Sequence, residues 1–156
     1  MFIVSSCLIG NNCKYNGGNN YNEGVVEFCR NHEVILVCPE TSGGLKSPRM
    51  PAEQQYKKAS DGNLGIRVID KEGNDLTENF HKGAVVSLEQ AFKKADELSE
   101  EIEGAILKAN SPSCGSDNIY DGTFTGTLIS GDGIFANLLK ERGIPVMSEE
   151  NFKEKI

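Results

Sequence analysis

Apolar and polar positions along this chain fall into two rhythms. Short apolar runs at Phe2-Ile3-Val4, Val34-Ile35-Leu36-Val37, Ala105-Ile106-Leu107 and Ile144 to Met147 predict strands buried on both faces. Between them the apolar spacing changes to three and four. Residues from about 23 to 31 place Val25, Val26, Phe28 and Cys29 on one side of a short helix, and from Thr77 onward Ala84, Leu88, Ala91, Phe92, Ala95 and Leu98 mark an amphipathic one. Thr77 is its expected N-cap, with Glu78 favourable in the first turn. A last helix buries Ile134, Phe135, Leu138 and Leu139 and stops at Gly143, feeding the final strand. Ile66 to Asp70 reads as a further short strand, and Lys71-Glu72-Gly73-Asn74 as a turn.

Strands alternating with helices predict an α/β fold: a single compact domain over residues 1–156, three-layer αβα and Rossmann-like, with a mostly parallel sheet. Two stretches break the rhythm. Residues 10–20 are rich in glycine and asparagine, which tolerate turns and positive φ, and form a loop. The segment from Cys38 to Glu53, with two glycines and three prolines, is too irregular for a regular element and reads as a long connection of the kind that carries function.

Size and charge narrow the class. The chain has 156 residues, enough for one domain to bury roughly two-thirds of its unfolded surface. No basic leader or membrane-length apolar run is present, so a cytoplasmic protein without membrane partners is expected. A formal net charge of -7 disfavours long nucleic acid and favours a small-molecule ligand. The sequence carries no mark of an oligomeric state.

Five cysteines, an odd and sparse set, are expected to be reduced thiols. Three of them stand just beyond predicted strands: Cys7, Cys38 and Cys114. Parallel strands would bring these thiols to one sheet edge, where ligands of open α/β sheets bind. Such a set fits zinc, a metal-sulfur cluster, or simply small residues at crowded strand ends. Zinc sites are usually closed by four ligands and often use CxxC pairs, which are absent. An iron-sulfur cluster on three cysteines would leave one iron open to substrate. Cys29 reads as a small buried hydrophobe, and Cys13, in the asparagine-rich loop, as a candidate fourth ligand or auxiliary thiol.

The neighbours of these thiols are chemically useful. Glu40 stands two residues after Cys38, and Ser111 and Ser113 flank Cys114, residue types that suit proton transfer and substrate positioning. Arg49 and Lys46 could contact an anionic or carbonyl-bearing ligand, while a structural salt bridge is the plainer use. Tyr15 and Tyr120 could stack on a planar base or simply pack at a rim. The Ser130-Gly131-Asp132-Gly133 turn opens the last helix, where amides can bind an anion, although Asp132 opposes that role. His32 and His81 have no cysteine-rich neighbours and are expected at the surface.

The motifs Ser6-Cys7-Leu8-Ile9-Gly10, Cys38-Pro39-Glu40 with Gly43-Gly44-Leu45, Pro48-Arg49-Met50-Pro51-Ala52-Glu53, Ser111-Pro112-Ser113-Cys114-Gly115-Ser116 and Ile119-Tyr120-Asp121-Gly122-Thr123-Phe124 together resemble a bacterial family of unknown-function domains that includes the thiouracil desulfidases. The resemblance runs from about Phe2 to Asn151. It implies a 4Fe-4S cluster held by Cys7, Cys38 and Cys114, with Glu40 as acid/base carboxylate and Ser111 as a substrate-orienting, proton-sharing hydroxyl. Ser113 and Arg49 are added as substrate-binding residues. The implied reaction removes sulfur from a thiolated nucleobase such as 2-thiouracil by hydrolysis without net redox change. A relative's usual aspartate is Asn16 here. Two other classes remain open at this level: a cluster- or metal-binding or sulfur-carrier module without turnover, and a cysteine enzyme without a cluster, the latter lacking a histidine motif to supply its base.

Overall fold

The computed structural model describes residues 1–58, 62 and 64–156. In chain order its elements are β1 (Phe2–Ser5), a 3-10 turn (Ser6–Ile9), α1 (Glu23–Arg30), β2 (Val34–Val37), α2 (Pro39–Ser42), β3 (Ala52–Lys58) and β4 (Leu64–Asp70). There follow α3 (Thr77–Glu97), β5 (Gly104–Leu107), β6 (Asn118–Tyr120), β7 (Leu128–Ser130), α4 (Ile134–Glu141), β8 (Val146–Ser148) and α5 (Phe152–Lys155).

The four apolar runs build one sheet in the order β2-β1-β5-β8, with every pairing parallel. Period-two alternation then divides the side chains between two cores. Ile3, Ala105, Leu107 and Val146 pack with Ala84, Leu88 and Ala91 of α3 and Phe135 and Leu139 of α4. Phe2, Val4, Ile106 and Met147 pack on the other side with Val25 of α1 and Phe152 of α5. Both faces of the central strands β1 and β5 are covered, which is why they read as continuous apolar runs, whereas β2 lies at the sheet edge and leaves Leu36 exposed. The layers are αβα.

Strand order reverses between β1 and β5, so the crevice beyond their carboxyl ends is the switch point at which open α/β sheets bind ligands. Cys7 follows β1 directly, and Cys114 lies in the loop after β5.

Local differences from the sequence reading have physical causes. The segment 38–53 holds a regular element after all: α2 starts with Pro39, whose fixed φ suits a first helical turn. Ile66–Asp70 is extended, within β4, but it pairs antiparallel with β3 in a separate two-stranded sheet. Strand β3 escapes an apolar pattern search because Glu53, Gln54 and Gln55 are polar, and their side chains tie down loops instead of filling a core. Thr77 is not the N-cap. Its hydroxyl donates to Asp75 Oδ1 (2.6 Å) and accepts from Val68 N (2.9 Å), so it is spent joining α3 to β4, and Leu76 takes the boundary position. Phe92 and Leu98 stay 43% and 45% exposed, because the buried stripe follows Ala84, Leu88, Ala91 and Ala95. The last strand begins at Val146 rather than Ile144, after Pro145.

Among the described residues, no helix is long and apolar enough to cross a membrane.

Candidate functional site

Backbone features at three strand ends set the site. After β1 the chain tightens into the 3-10 turn that carries Cys7, and Gly10 ends that turn at φ 102°, a left-handed conformation that favours glycine. The side-chain amide of Asn20 then donates to Cys7 Sγ at 3.3 Å. Cys38 closes β2 at the N-terminal boundary of α2. Helix α2 is pressed against α3 backbone to backbone: a Cβ on Gly83 would lie 1.7 Å from the Pro39 carbonyl oxygen, and one on Gly43 would lie 2.0 Å from that of Asn79. Only glycine fits either place.

Cys114 is set by its loop. Ser111 Oγ accepts from Cys114 N at 2.8 Å, and Ser111 O from Gly115 N at 2.9 Å. The amides opening α4 fasten the same loop, Gly133 N to Gly115 O (2.7 Å), Ile134 N to Pro112 O (2.9 Å) and Phe135 N to Ser113 O (2.9 Å). The helix start weighed above as an anion site is therefore occupied by carbonyls. Gln54 Nε2 adds bonds to Pro112 O (3.1 Å) and Asp132 O (2.9 Å).

The three strand-end cysteines line one cavity of about 450 Å³, together with Cys13, Glu40, Arg49, Ser111, Ser113, Tyr15 and Tyr120. Cys7, Cys38, Cys114, Glu40, Ser111, Ser113 and Arg49, singled out from the sequence, all line it. Lys46 is exposed, His32 stacks on Phe28 with ring centroids 3.8 Å apart, and His81 is exposed on α3; none of these three lines the cavity. Cys29 sits on α1 and packs against the second core.

Thiol electrostatics centre on Cys13. The thiol of Cys13 has one proton to share with the neighbouring sulfurs of Cys38 and Cys7, and that hydrogen bond raises the Cys13 pKa far above the ordinary value. The same bond brings Cys38 down to about 6, against opposition from burial and with further help from the Thr41 hydroxyl and amide. Cys7 is lowered likewise, first by Cys13, with burial opposing and Asn20 assisting. Cys114, fully enclosed, is pushed up to about 12 by burial. Cys38 is thus favoured as a thiolate, Cys7 is shifted in the same direction, and Cys114 is a thiol until a cation reaches it. A bound metal's charge deprotonates such a ligand.

Beside the sulfurs runs a proton-bearing chain. Ser113 Oγ donates to Glu40 Oε2 at 2.8 Å, a short bond to a charged acceptor. A hydroxyl has one proton to give, so Ser111, whose Oγ lies 3.3 Å from Ser113 Oγ, is the donor in that second contact. Protons can pass along Ser111, Ser113 and Glu40. Arg49 is less open than a substrate-binding residue would be: Nε and Nη2 reach Glu40 Oε1 at 3.2 and 3.1 Å, Nη2 also reaches Cys13 O (3.0 Å), and Nη1 reaches Lys46 O (3.1 Å). Arg49 fixes one carboxylate oxygen and leaves the other to Ser113.

Sequence reading missed Lys108, which lines the cavity and pairs with Glu149 at 2.9 Å, and the buried Glu53. Lys108 directly follows the apolar run Ala105-Ile106-Leu107, and Glu53 closes the Pro51-Ala52-Glu53 motif. Each signal was present but carried no periodicity.

The donor set fits an iron-sulfur cluster: three soft thiols, two of them with lowered pKa, face a shared volume with room left over. Among the described residues, no three cysteine, histidine or carboxylate side chains are gathered to hold a single metal ion as they stand.

Gly83 offers a direct test of how the fold positions this site. Gly83→Ala forces α2 away from α3, and overpacking of this kind typically costs about 1–3 kcal/mol. Thermal unfolding should register that loss, and iron incorporation should fall as Cys38 and Glu40 shift. An unchanged melting temperature with full iron content would show the contact to be unimportant.

Fold and site together define an α/β protein with a sulfur-lined ligand cavity at the switch point of a parallel sheet. The chain belongs to the 2-thiouracil desulfurase family, whose model matches residues 2–151. The uncharacterized protein YbbK of Bacillus subtilis (strain 168) is 39% identical over 155 residues, covering 99% of each chain. A solved structure of the 4Fe-4S-dependent thiouracil desulfidase TudS (DUF523Vcz) matches with a TM-score of 0.77 at 34% identity, over 98% of this chain and 93% of that one.

Proposed function

We propose that this chain, acting as one unit over residues 1–156, is an iron-sulfur-dependent desulfidase that hydrolyses a small thiolated nucleobase of the 2-thiouracil type. The observation that carries the reading is the convergence of Cys7, Cys38 and Cys114 on one cavity with a hydrogen-bonded Ser111-Ser113-Glu40 chain in its wall. Family membership and the TudS likeness support it.

In this reading Cys7, Cys38 and Cys114 hold a 4Fe-4S cluster, which when bound supplies a Lewis-acidic iron without a protein ligand, suited to soft sulfur. The chain's own residues handle protons and position. Glu40, fixed at Oε1 by Arg49, takes a proton from the attacking water through Oε2 and the Ser113 hydroxyl, while Ser111 orients the substrate at the other end of the chain. The balance is a thiocarbonyl plus water giving a carbonyl plus hydrogen sulfide, with no electrons gained or lost. A small free base, rather than long nucleic acid, suits the net charge of -7. Reduced thiol ligands suit the cytoplasm.

Anaerobic purification and reconstitution provide the test. Brown protein with cluster absorbance should release sulfide from 2-thiouracil and form uracil in equal amount. Reconstituted protein that releases no sulfide from a panel of thiolated bases would overturn the reading, and colourless protein with stoichiometric zinc would remove the cluster from it.

A further inference from the structure

Glu53 lies on β3 in the wall of the cavity, with only 8% of its surface exposed, and no part of the chemistry above uses it. A carboxylate so placed needs partners. Those it has are one-sided: the amides of Gly122 (3.0 Å) and Phe124 (3.1 Å) both donate to Oε1, and Oε2 receives neither. Among the described residues, no lysine or arginine pairs with this carboxylate.

The loop that Oε1 holds is itself unusual. Gly122 sits at φ 91°, and a Cβ there would lie 2.6 Å from Gln54 O; Phe124 takes a left-handed φ of 58° without being glycine. Gln55 Nε2 adds a second tether to Gly122 O at 2.8 Å. Such a conformation persists when its surroundings impose it, and it sets Phe124 in the cavity wall. A flat aromatic ring and an acceptor-only oxygen thus share one wall.

Resting on the desulfidase reading, we propose that Glu53 is the substrate-recognition residue: Oε2 accepts a ring N–H from a planar cyclic thioamide, while Oε1 holds Phe124 against the face of that ring. An ionised carboxylate can recognise only donors, and a heterocycle containing –NH–C(=S)– offers an N–H beside the carbon that reacts. The substrate class is cyclic thioamides with a free ring N–H, and N-methylation at the recognised nitrogen excludes a ligand.

Glu53→Gln separates recognition from scaffolding, because the glutamine oxygen still accepts from Gly122 and Phe124 while its amide nitrogen replaces the free acceptor with a donor. In anaerobically reconstituted protein, E53Q should raise KM for 2-thiouracil and the calorimetric Kd for uracil roughly ten- to a hundredfold, leaving kcat within a few-fold and cluster absorbance unchanged. In the unmutated protein, 1-methyl- or 3-methyl-2-thiouracil should lose a comparable factor, which E53Q no longer shows. Uracil binding unaltered by E53Q, or both N-methyl bases accepted as well as the parent, would overturn the proposal. The methyl series needs no variant, so it decides the matter even if E53Q folds poorly. Absence of sulfide release from every base would instead strike the desulfidase reading, and uracil binding would still test Glu53.

Discussion

Replacing Glu40 by glutamine should leave the iron content intact and lower kcat by about 10²–10⁴-fold, the range over which a positioned acid-base group accelerates a reaction. The geometry makes this substitution selective. A glutamine oxygen can still accept from Arg49 Nε and Nη2, now 3.2 and 3.1 Å from Glu40 Oε1, and Arg49 keeps its bonds to Cys13 O and Lys46 O. The guanidinium therefore stays satisfied and the fold should hold, with little change in melting temperature. The other end of the side chain changes character. Where Oε2 accepts the Ser113 proton at 2.8 Å, an amide nitrogen can only donate, so Ser113 must turn its proton elsewhere and the chain to Ser111 is broken. Ser113→Ala interrupts the same path while leaving the carboxylate, and should give a smaller loss. A Glu40→Gln protein turning over within a few-fold of the parent would remove Glu40 from the chemistry.

How much of this was legible beforehand follows from which forces write themselves into a sequence. The parallel sheet was legible because burial on both faces makes Phe2-Ile3-Val4 and Ala105-Ile106-Leu107 continuous apolar runs, and Val34–Val37 is as apolar although it lies at the sheet edge. Parallel strands made the convergence of Cys7 and Cys38 legible, and Cys114 joins them through the loop bonds of Ser111 and the α4 amides. Strand β3 was not legible, since its residues are selected for hydrogen bonds to Pro112, Gly122 and Asp132 rather than for a core. Arg49 could be placed near the site but not assigned to Glu40, because the pairing spans irregular chain with no periodicity to read. Cys13 was the hardest. It lies in a loop of glycines and asparagines, and what brings its thiol to Cys7 and Cys38 is a set of backbone bonds such as Lys14 N to Gly18 O (3.1 Å) and Arg49 N to Tyr15 O (2.6 Å).

The position of Cys13 bears on which thiols hold iron. Cys7→Ser, Cys38→Ser and Cys114→Ser should each abolish cluster retention, because a serine hydroxyl is a hard, weakly acidic donor where the metal requires a soft thiolate. Cys29→Ser should retain it, since that side chain packs on α1 against the second core and does not line the cavity. The discriminating comparison is Cys13→Ser with Cys114→Ser. Cys13 lines the same cavity and lies beside Cys7 and Cys38, so it is the rival for the third ligand position, whereas Cys114 is buried and starts as a thiol held up to about 12. Parallel-strand geometry and the loop bonds of Ser111 favour Cys114, and a metal's charge readily offsets the cost of its deprotonation. Iron and sulfide content after anaerobic reconstitution should therefore be near full in Cys13→Ser and near zero in Cys114→Ser. The reverse result would move the third ligand to Cys13 and leave Cys114 as a packing residue of the loop.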